Sequence, residues 1–349
     1  MSEAGTAAPA PPEYNVTGQD YSDRRHFRYT GPIIDIHAHV FQTRPEDPPA
    51  GPPLGKGPNA SIIQAETMLA VAEEFGIVRT FSMCPPDDIA ILRTRFGNRL
   101  DFNGSIVKKL DDPDDAAYRL LDRFLELGIK IIKFWSAPRG RERGLFVNAP
   151  WRKEAARRAR AGGVRLVMVH VGDPDAWFRT VYTDTGKFGT KADQYLGLEE
   201  MLQEFPDMTW IGAHMGGDPE HPDHLEALLE RYPHFNLDTS ATKWQVREVS
   251  KHPEAMASLM RRYPDRFLFG SDLVTRHNIA REHYVSRYWC HRTLWESDWI
   301  GRSPIADPDY TPLQGETKET ALSPRLRGLN LPREVLEQVY FANARRLCP

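Results

Sequence analysis

At 349 residues the chain exceeds one average domain, yet barrel folds run to about 250 residues or more as a single unit, so length imposes no division. A formal net charge of -3 offers no broad basic surface for phosphates and excludes nucleic acid as an expected partner. Cys84, Cys290 and Cys348 have no CxxC spacing, which excludes a disulfide framework and suits a reducing compartment.

The opening stretch, MSEAGTAAPAPPEYNVTGQD, is rich in Ala, Pro and polar groups. Such a composition buries too little apolar surface to offset its ordering entropy, so residues 1–30 are expected to form a flexible extension. The stretch lacks the apolar run of a secretory signal, and no run of about 18 apolar residues occurs to span a bilayer, so a cytoplasmic protein that avoids membranes is expected.

From residue 31 onward, short β-rich runs alternate with amphipathic stretches. The runs predict strands over 32–40, 77–84, 100–107, 129–135, 164–171, 209–215, 234–239 and 267–272. Helical patterns lie between them at 62–75, 116–127, 150–161, 196–205, 221–231 and 245–262, several ended by Gly or Pro. Strand, crossover helix and strand, repeated eight times, predict an α/β fold of the (β/α)₈ TIM barrel type over 31–349. A doubly wound open sheet is the rival, and no GxGxxG follows the first strand to support it. Residues 273–331 break the pattern as an aromatic, Pro-rich insertion with Tyr288, Trp289, Trp295, Trp299 and Tyr310. So apolar a segment should cover the barrel mouth or pack on a neighbouring subunit. A homo-oligomer, a dimer, is the expected assembly. Residues 332–347 predict a closing helix.

The most specific local feature is Asp35-Ile36-His37-Ala38-His39 at the end of the first strand, where residues two apart point to one face. Barrel interiors are normally aliphatic, and two buried imidazoles side by side are costly unless something satisfies them; a metal does so. Metal-type side chains recur at other strand ends: His170 closes VRLVMVHV, His214 closes TWIGAHMGG, and Asp272 closes FLFGSD.

Together these motifs resemble the amidohydrolase superfamily over residues 32–347, and FGSD with GAHMGG resembles its aminocarboxymuconate-semialdehyde decarboxylase-like branch. The resemblance implies that His37, His39, His170 and Asp272 bind one metal. It also implies that His214 stands beside the bound water as a catalytic acid or base. Three imidazoles and a carboxylate suit zinc, with Mn, Fe or Co as alternatives, and Asp272 could also accept a proton from the water. Other branches place a carboxylated lysine at the end of strand four to bridge two metals, and Lys133 in IKIIKFWS holds that place. A lysine that pairs with a carboxylate or touches substrate is the competing role, and the mononuclear site is the expectation.

Loops that follow the strands supply candidate substrate contacts: Trp135, Arg139 and Arg141, then Trp177 and Lys187, then Lys243 and Trp244, then Arg276 and His277. Aromatic and cationic residues at a barrel mouth predict a small cyclic substrate with an anionic group. The first expected activity is hydrolysis of a small amide, lactone or related carbonyl compound by metal-activated water. The second is non-oxidative decarboxylation of an aromatic or unsaturated acid, which is distinguished by release of carbon dioxide. A catalytically silent metal-binding barrel is the third reading.

Overall fold

The computed structural model describes residues 11–40, 58–275, 279–317 and 320–348. Its centre is a parallel sheet whose strands follow chain order: β1 (Ile33–Val40), β2 (Ile77–Met83), β3 (Leu100–Ser105), β4 (Ile131–Ser136), β5 (Leu166–Val171), β6 (Thr209–Gly212), β7 (Phe235–Asp238) and β8 (Phe267–Leu268). A ninth piece, β9 (Leu273–Thr275), pairs in parallel with β1. β8 and β9 are two halves of one barrel strand, interrupted at 269–272. Across the interruption Ile36 N donates to Phe269 O (3.0 Å) and Asp272 N donates to His37 O (2.7 Å), so the eighth strand closes on the first. The architecture is the (β/α)₈ barrel expected from the alternating pattern.

Helices form where the sequence provides starts and stops. Pro150 opens the helix Pro150–Ala161 and Gly162 follows its end, in keeping with the preference for Pro at the first helical turn and Gly past the last. The helix expected at 245–262 is divided. A π-helical turn, Gln245–Val249, precedes Pro253–Arg262, because Pro253 cannot continue the upstream ladder.

Two apolar layers hold the barrel. The larger lies between the outer faces of the strands and the helices. The smaller, including Ile36, Phe81, Ile131, Met168, Ile211 and Leu268, packs against Ala344 and Cys348 of the closing segment. Ile131 and Met168 share strand faces with Lys133 and His170, so this cluster is the floor beneath the site.

The insertion forms the helix Arg281–Glu296 and the antiparallel pair β10 (Ile300–Arg302) and β11 (Arg325–Arg327). Tyr288, Trp289 and Trp295 are fully buried within this chain, which satisfies their apolar surface without a second subunit. Residues 11–30, predicted as loose by composition, instead make defined contacts. Arg28 N and Tyr29 N both donate to Glu296 (2.7 and 2.9 Å), and Tyr21 packs edge-on to Trp289. The polar residues of the segment thus find partners on the insertion that composition cannot reveal. All three cysteines are free and buried. Among the described residues, no helix is long and apolar enough to cross a membrane.

Candidate metal centre and active site

β1 carries a bulge between Asp35 and Ala38. Bulges re-aim side chains, and His37 within this one and His39 just after it both reach Asp272 Oδ1, at 3.3 and 2.9 Å from their Nε2 atoms. Gly270 makes the approach of the eighth strand feasible, because a Cβ there would stand 2.9 Å from that of His37. Asp272 itself takes the left-handed conformation (φ 59°), an uncommon state for a side-chain-bearing residue that turns its carboxylate inward from the broken strand.

His214 and Met215 are likewise left-handed (φ 58° and 55°), so β6 ends at Gly212, three residues earlier than the pattern predicts. The tight turn needs Gly217 (φ 76°), whose Cβ would meet Val171 O at 2.2 Å. This backbone geometry explains the glycines of GAHMGG.

Hydrogen bonds fix the imidazoles. Asp238, a buried carboxylate at the end of β7, only accepts, so His37 donates from Nδ1 to Asp238 Oδ2 (2.7 Å) and presents its Nε2 lone pair. Asp238 Oδ1 accepts from His214 N (2.8 Å), from Ser240 N (3.0 Å) and from the Ser240 hydroxyl. Ser240 Oγ, having donated its proton, accepts from His214 Nδ1 (2.7 Å), which leaves Nε2 as the basic nitrogen of His214. His170 donates from Nε2 to Asp173 (2.9 Å), and Tyr182 OH donates to the other oxygen of Asp173 (2.6 Å). Asp35 binds Ser271 through Oγ (2.6 Å) and N (3.0 Å), tying β1 to the interrupted strand.

Electrostatics follow from burial and these partners. Burial opposes ionisation of Asp272, but His214, His39 and His37 hold it well below the usual carboxylate range. Asp238 is also held low: burial opposes ionisation, and His37 and Ser240 outweigh it. Burial pushes Asp35 up to about 7. Burial drives His214 well below its ordinary value, and burial together with the charge of Lys133 brings His39 to about 4. Burial lowers Lys133 to about 8, and its Nζ lies 2.5 Å from His37 Nε2.

One ligand-type atom from each of His37, His39 and Asp272 lies within 4.8 Å of the others, a mixed nitrogen and oxygen set whose chemistry fits a divalent ion. His37, His214 and Asp238 form a second such group, but there the carboxylate already spends both oxygens on hydrogen bonds. His170 lies outside the compact trio and edge-on to His214, with ring centroids 4.6 Å apart.

A cavity of about 940 Å³ opens over this centre. Of the residues expected to touch substrate, Trp135, Arg139, Trp177, Lys243 and Trp244 line it. Arg141 does not: its guanidinium lies over Phe146 and reaches Gln194. Lys187 does not either, being paired with Glu142 at 2.6 Å. Both sit on loops whose direction sequence spacing cannot give. Arg276 and His277 lie outside the described residues. Asp238, Ser240, Asp173 and Asp35 have partners in the site that the sequence motifs do not point to. A carboxylate ending strand seven, as Asp272 ends strand eight, was the available signal for Asp238.

The family described as amidohydrolase matches residues 34–349, nearly the whole barrel. The chain belongs to the amidohydrolase family. Among solved structures, this amidohydrolase is similar to 2,6-dihydroxybenzoate decarboxylase from Rhizobium, at 15% identity and a TM-score of 0.51, covering 91% of this chain and 98% of the other. It is similar also to 2,6-dihydroxybenzoate decarboxylase complexed with 2,6-dihydroxybenzoate, at 17% identity and a TM-score of 0.50, with the same coverage. A mutant organophosphorus hydrolase from Deinococcus radiodurans aligns at 13% identity and a TM-score of 0.48, covering 92% of this chain and 94% of that one. These likenesses concern the fold. No curated protein matches the chain.

Proposed function

We propose that this amidohydrolase hydrolyses a small amide, lactone or related carbonyl compound with one divalent metal ion. The observation that carries the reading is the meeting of His37, His39 and Asp272, the last two of which line the cavity together with His214. These three residues, with His170 beside them, would hold the ion; zinc suits the set, and Mn, Fe and Co share its preferences. A bound ion would polarise the substrate carbonyl and acidify water.

The rest is supplied by the chain. His214 Nε2 takes the proton of the attacking water and returns it to the leaving group, while the Ser240 and Asp238 chain behind it fixes the ring and its tautomer. Asp272, held ionised, is the second acceptor in reach. Lys133 lines the cavity, and once an ion takes the Nε2 of His37 that its Nζ now contacts, it would donate towards negative charge that develops on the substrate oxygen. Trp135, Trp177 and Trp244 wall off water and offer flat faces to a ring.

A second reading, decarboxylation of an aromatic or unsaturated acid, is favoured by the pairing of those aromatic walls with Arg139 and Arg143, the latter stacked over Trp135 at 5.8 Å. There the carbon would keep the bonding electrons as carbon dioxide leaves, and His214, or Asp272 once it has accepted a proton from water, would hand that proton to the carbon. Screening lactones, amides and aromatic acids, 2,6-dihydroxybenzoate included, with product analysis separates the two. Ring opening or amide cleavage supports hydrolysis, and carbon dioxide release without water uptake overturns it.

A further inference from the structure

Lys243, from the loop after β7, and His283 and Arg287, from the helix Arg281–Glu296, line the same cavity as His39, Lys133 and Asp272. Their counter-charge comes from the N-terminal segment. Glu13 Oε1 lies 2.7 Å from His283 Nδ1, its Oε2 lies 2.7 Å from Arg287 Nη2, and the same Oε2 is 4.0 Å from Lys243 Nζ. The Arg287 side chain is 7% exposed and is braced by the carbonyl of His283 and the hydroxyl of Ser286, so its guanidinium is fixed towards this spot. Glu13 is delivered by backbone pairing of its own segment with the insertion, through Ala306 N to Glu13 O (2.8 Å) and Val16 N to Pro304 O (2.8 Å).

A single carboxylate therefore faces three basic side chains. Asp307 and Asp309 act on Lys243 from farther away, and Asp307 is already engaged by Arg247 at 2.7 Å. Burial lowers both Lys243 and His283 from their ordinary values; the charge of Arg287 adds to the shift, and Glu13 opposes it. Glu13 is only half-buried, with 47% of its side chain exposed, so it can leave for water where the buried arginine cannot.

We propose that Lys243, His283 and Arg287 form an anion-binding subsite of the cavity that receives a carboxylate of the substrate, and that Glu13 fills it in the free chain. The inference rests on reading the cavity as the active site, and it narrows the substrate to molecules with a carboxylate away from the reacting carbon. An incoming carboxylate would replace the two charge-assisted hydrogen bonds made by Glu13.

The test is benzoate binding to the full chain after chelator treatment, so that no metal competes for the carboxylate, followed by calorimetry with benzamide as the neutral control. Glu13→Gln should bind benzoate about tenfold more tightly than wild type, because the competing anion is gone. Adding Lys243→Met to that variant should reverse most of the gain, and benzamide should respond to neither change. Both substitutions fall at partly exposed positions, and unchanged thermal unfolding verifies the fold. Equal benzoate affinity in all three proteins overturns the proposal; so does benzamide tightening as much as benzoate, which would make the segment a steric cover. Metal content and turnover of untreated protein are read separately. Charge-selective binding in a protein that holds no metal and turns over nothing sinks the enzymatic reading and leaves the subsite. An active, metal-loaded enzyme without that selectivity sinks the subsite alone.

Discussion

Replacing Asp238 by Asn should damage metal binding although Asp238 is not proposed to touch the ion. In the native chain Oδ1 accepts three hydrogens, from His214 N, Ser240 N and the Ser240 hydroxyl, while Oδ2 accepts one from His37 Nδ1. An asparagine has one accepting oxygen. Turned to keep the three donors, it places its NH₂ against His37 Nδ1 and makes that atom an acceptor, so the ring proton moves to Nε2 and the ligand lone pair is lost. Turned the other way, the NH₂ meets three donors and leaves them buried without partners, at about 1–3 kcal/mol each. The first orientation is the cheaper, and loss of such a supporting carboxylate typically weakens metal affinity by about 10–100-fold. Chelator-competition titration of the folded variant gives the number directly. An affinity within twofold of wild type, with circular dichroism unchanged, would refute the claim that Asp238 sets the tautomer of His37.

His214→Asn should lower turnover by about 10²–10⁴-fold while metal content stays near wild type, since asparagine tolerates the left-handed backbone but cannot exchange a proton near neutral pH; loss of metal along with activity would make His214 a ligand. Gly217→Ala should destabilise the fold by about 2–4 kcal/mol in urea unfolding, because it adds a Cβ at 2.2 Å from Val171 O and strains a left-handed residue; a loss under 1 kcal/mol would contradict the packing described. His291, bonded to Thr242 and held at about 3 by burial, stays neutral in the fold, whereas the unfolded chain protonates near 6.5. Its contribution is thus present above pH 6.5 and lost as pH falls towards 3, amounting to about 2 kcal/mol by pH 5. His291→Gln should flatten the decline in unfolding free energy between pH 7 and 5 by about that amount, and an identical decline in both proteins would show that the shift is absent.

The parts of the site legible in the sequence are those fixed locally. Strand-end positions put His37, His39, His170 and Asp272 at one end of a barrel, and the glycines of GAHMGG and FGSD signal close backbone approach there. Asp238 is signalled only by its place at the end of strand seven, and Ser240 not at all, because the role of each depends on which imidazole lies across the barrel, and no spacing along the chain encodes that. The β1 bulge was hidden for a related reason: an extra residue in a ladder shows only against its partner strand. Arg141 and Lys187 mislead because a loop after a strand can run outward, where Gln194 and Glu142 take their charges. The N-terminal segment looked loose by composition, yet Glu13 and Arg28 are anchored by the insertion through contacts of very long sequence separation.

In the proposed site the barrel mouth holds one divalent ion through His37, His39 and Asp272, with His170 beside them. Elemental analysis of purified protein, beside His39→Ala and Asp272→Asn, tests it most directly. Close to one transition ion per chain in wild type and strong depletion in both variants is the predicted result; wild-type metal content in either variant, or none in the parent protein after growth and dialysis with zinc or manganese, would contradict it.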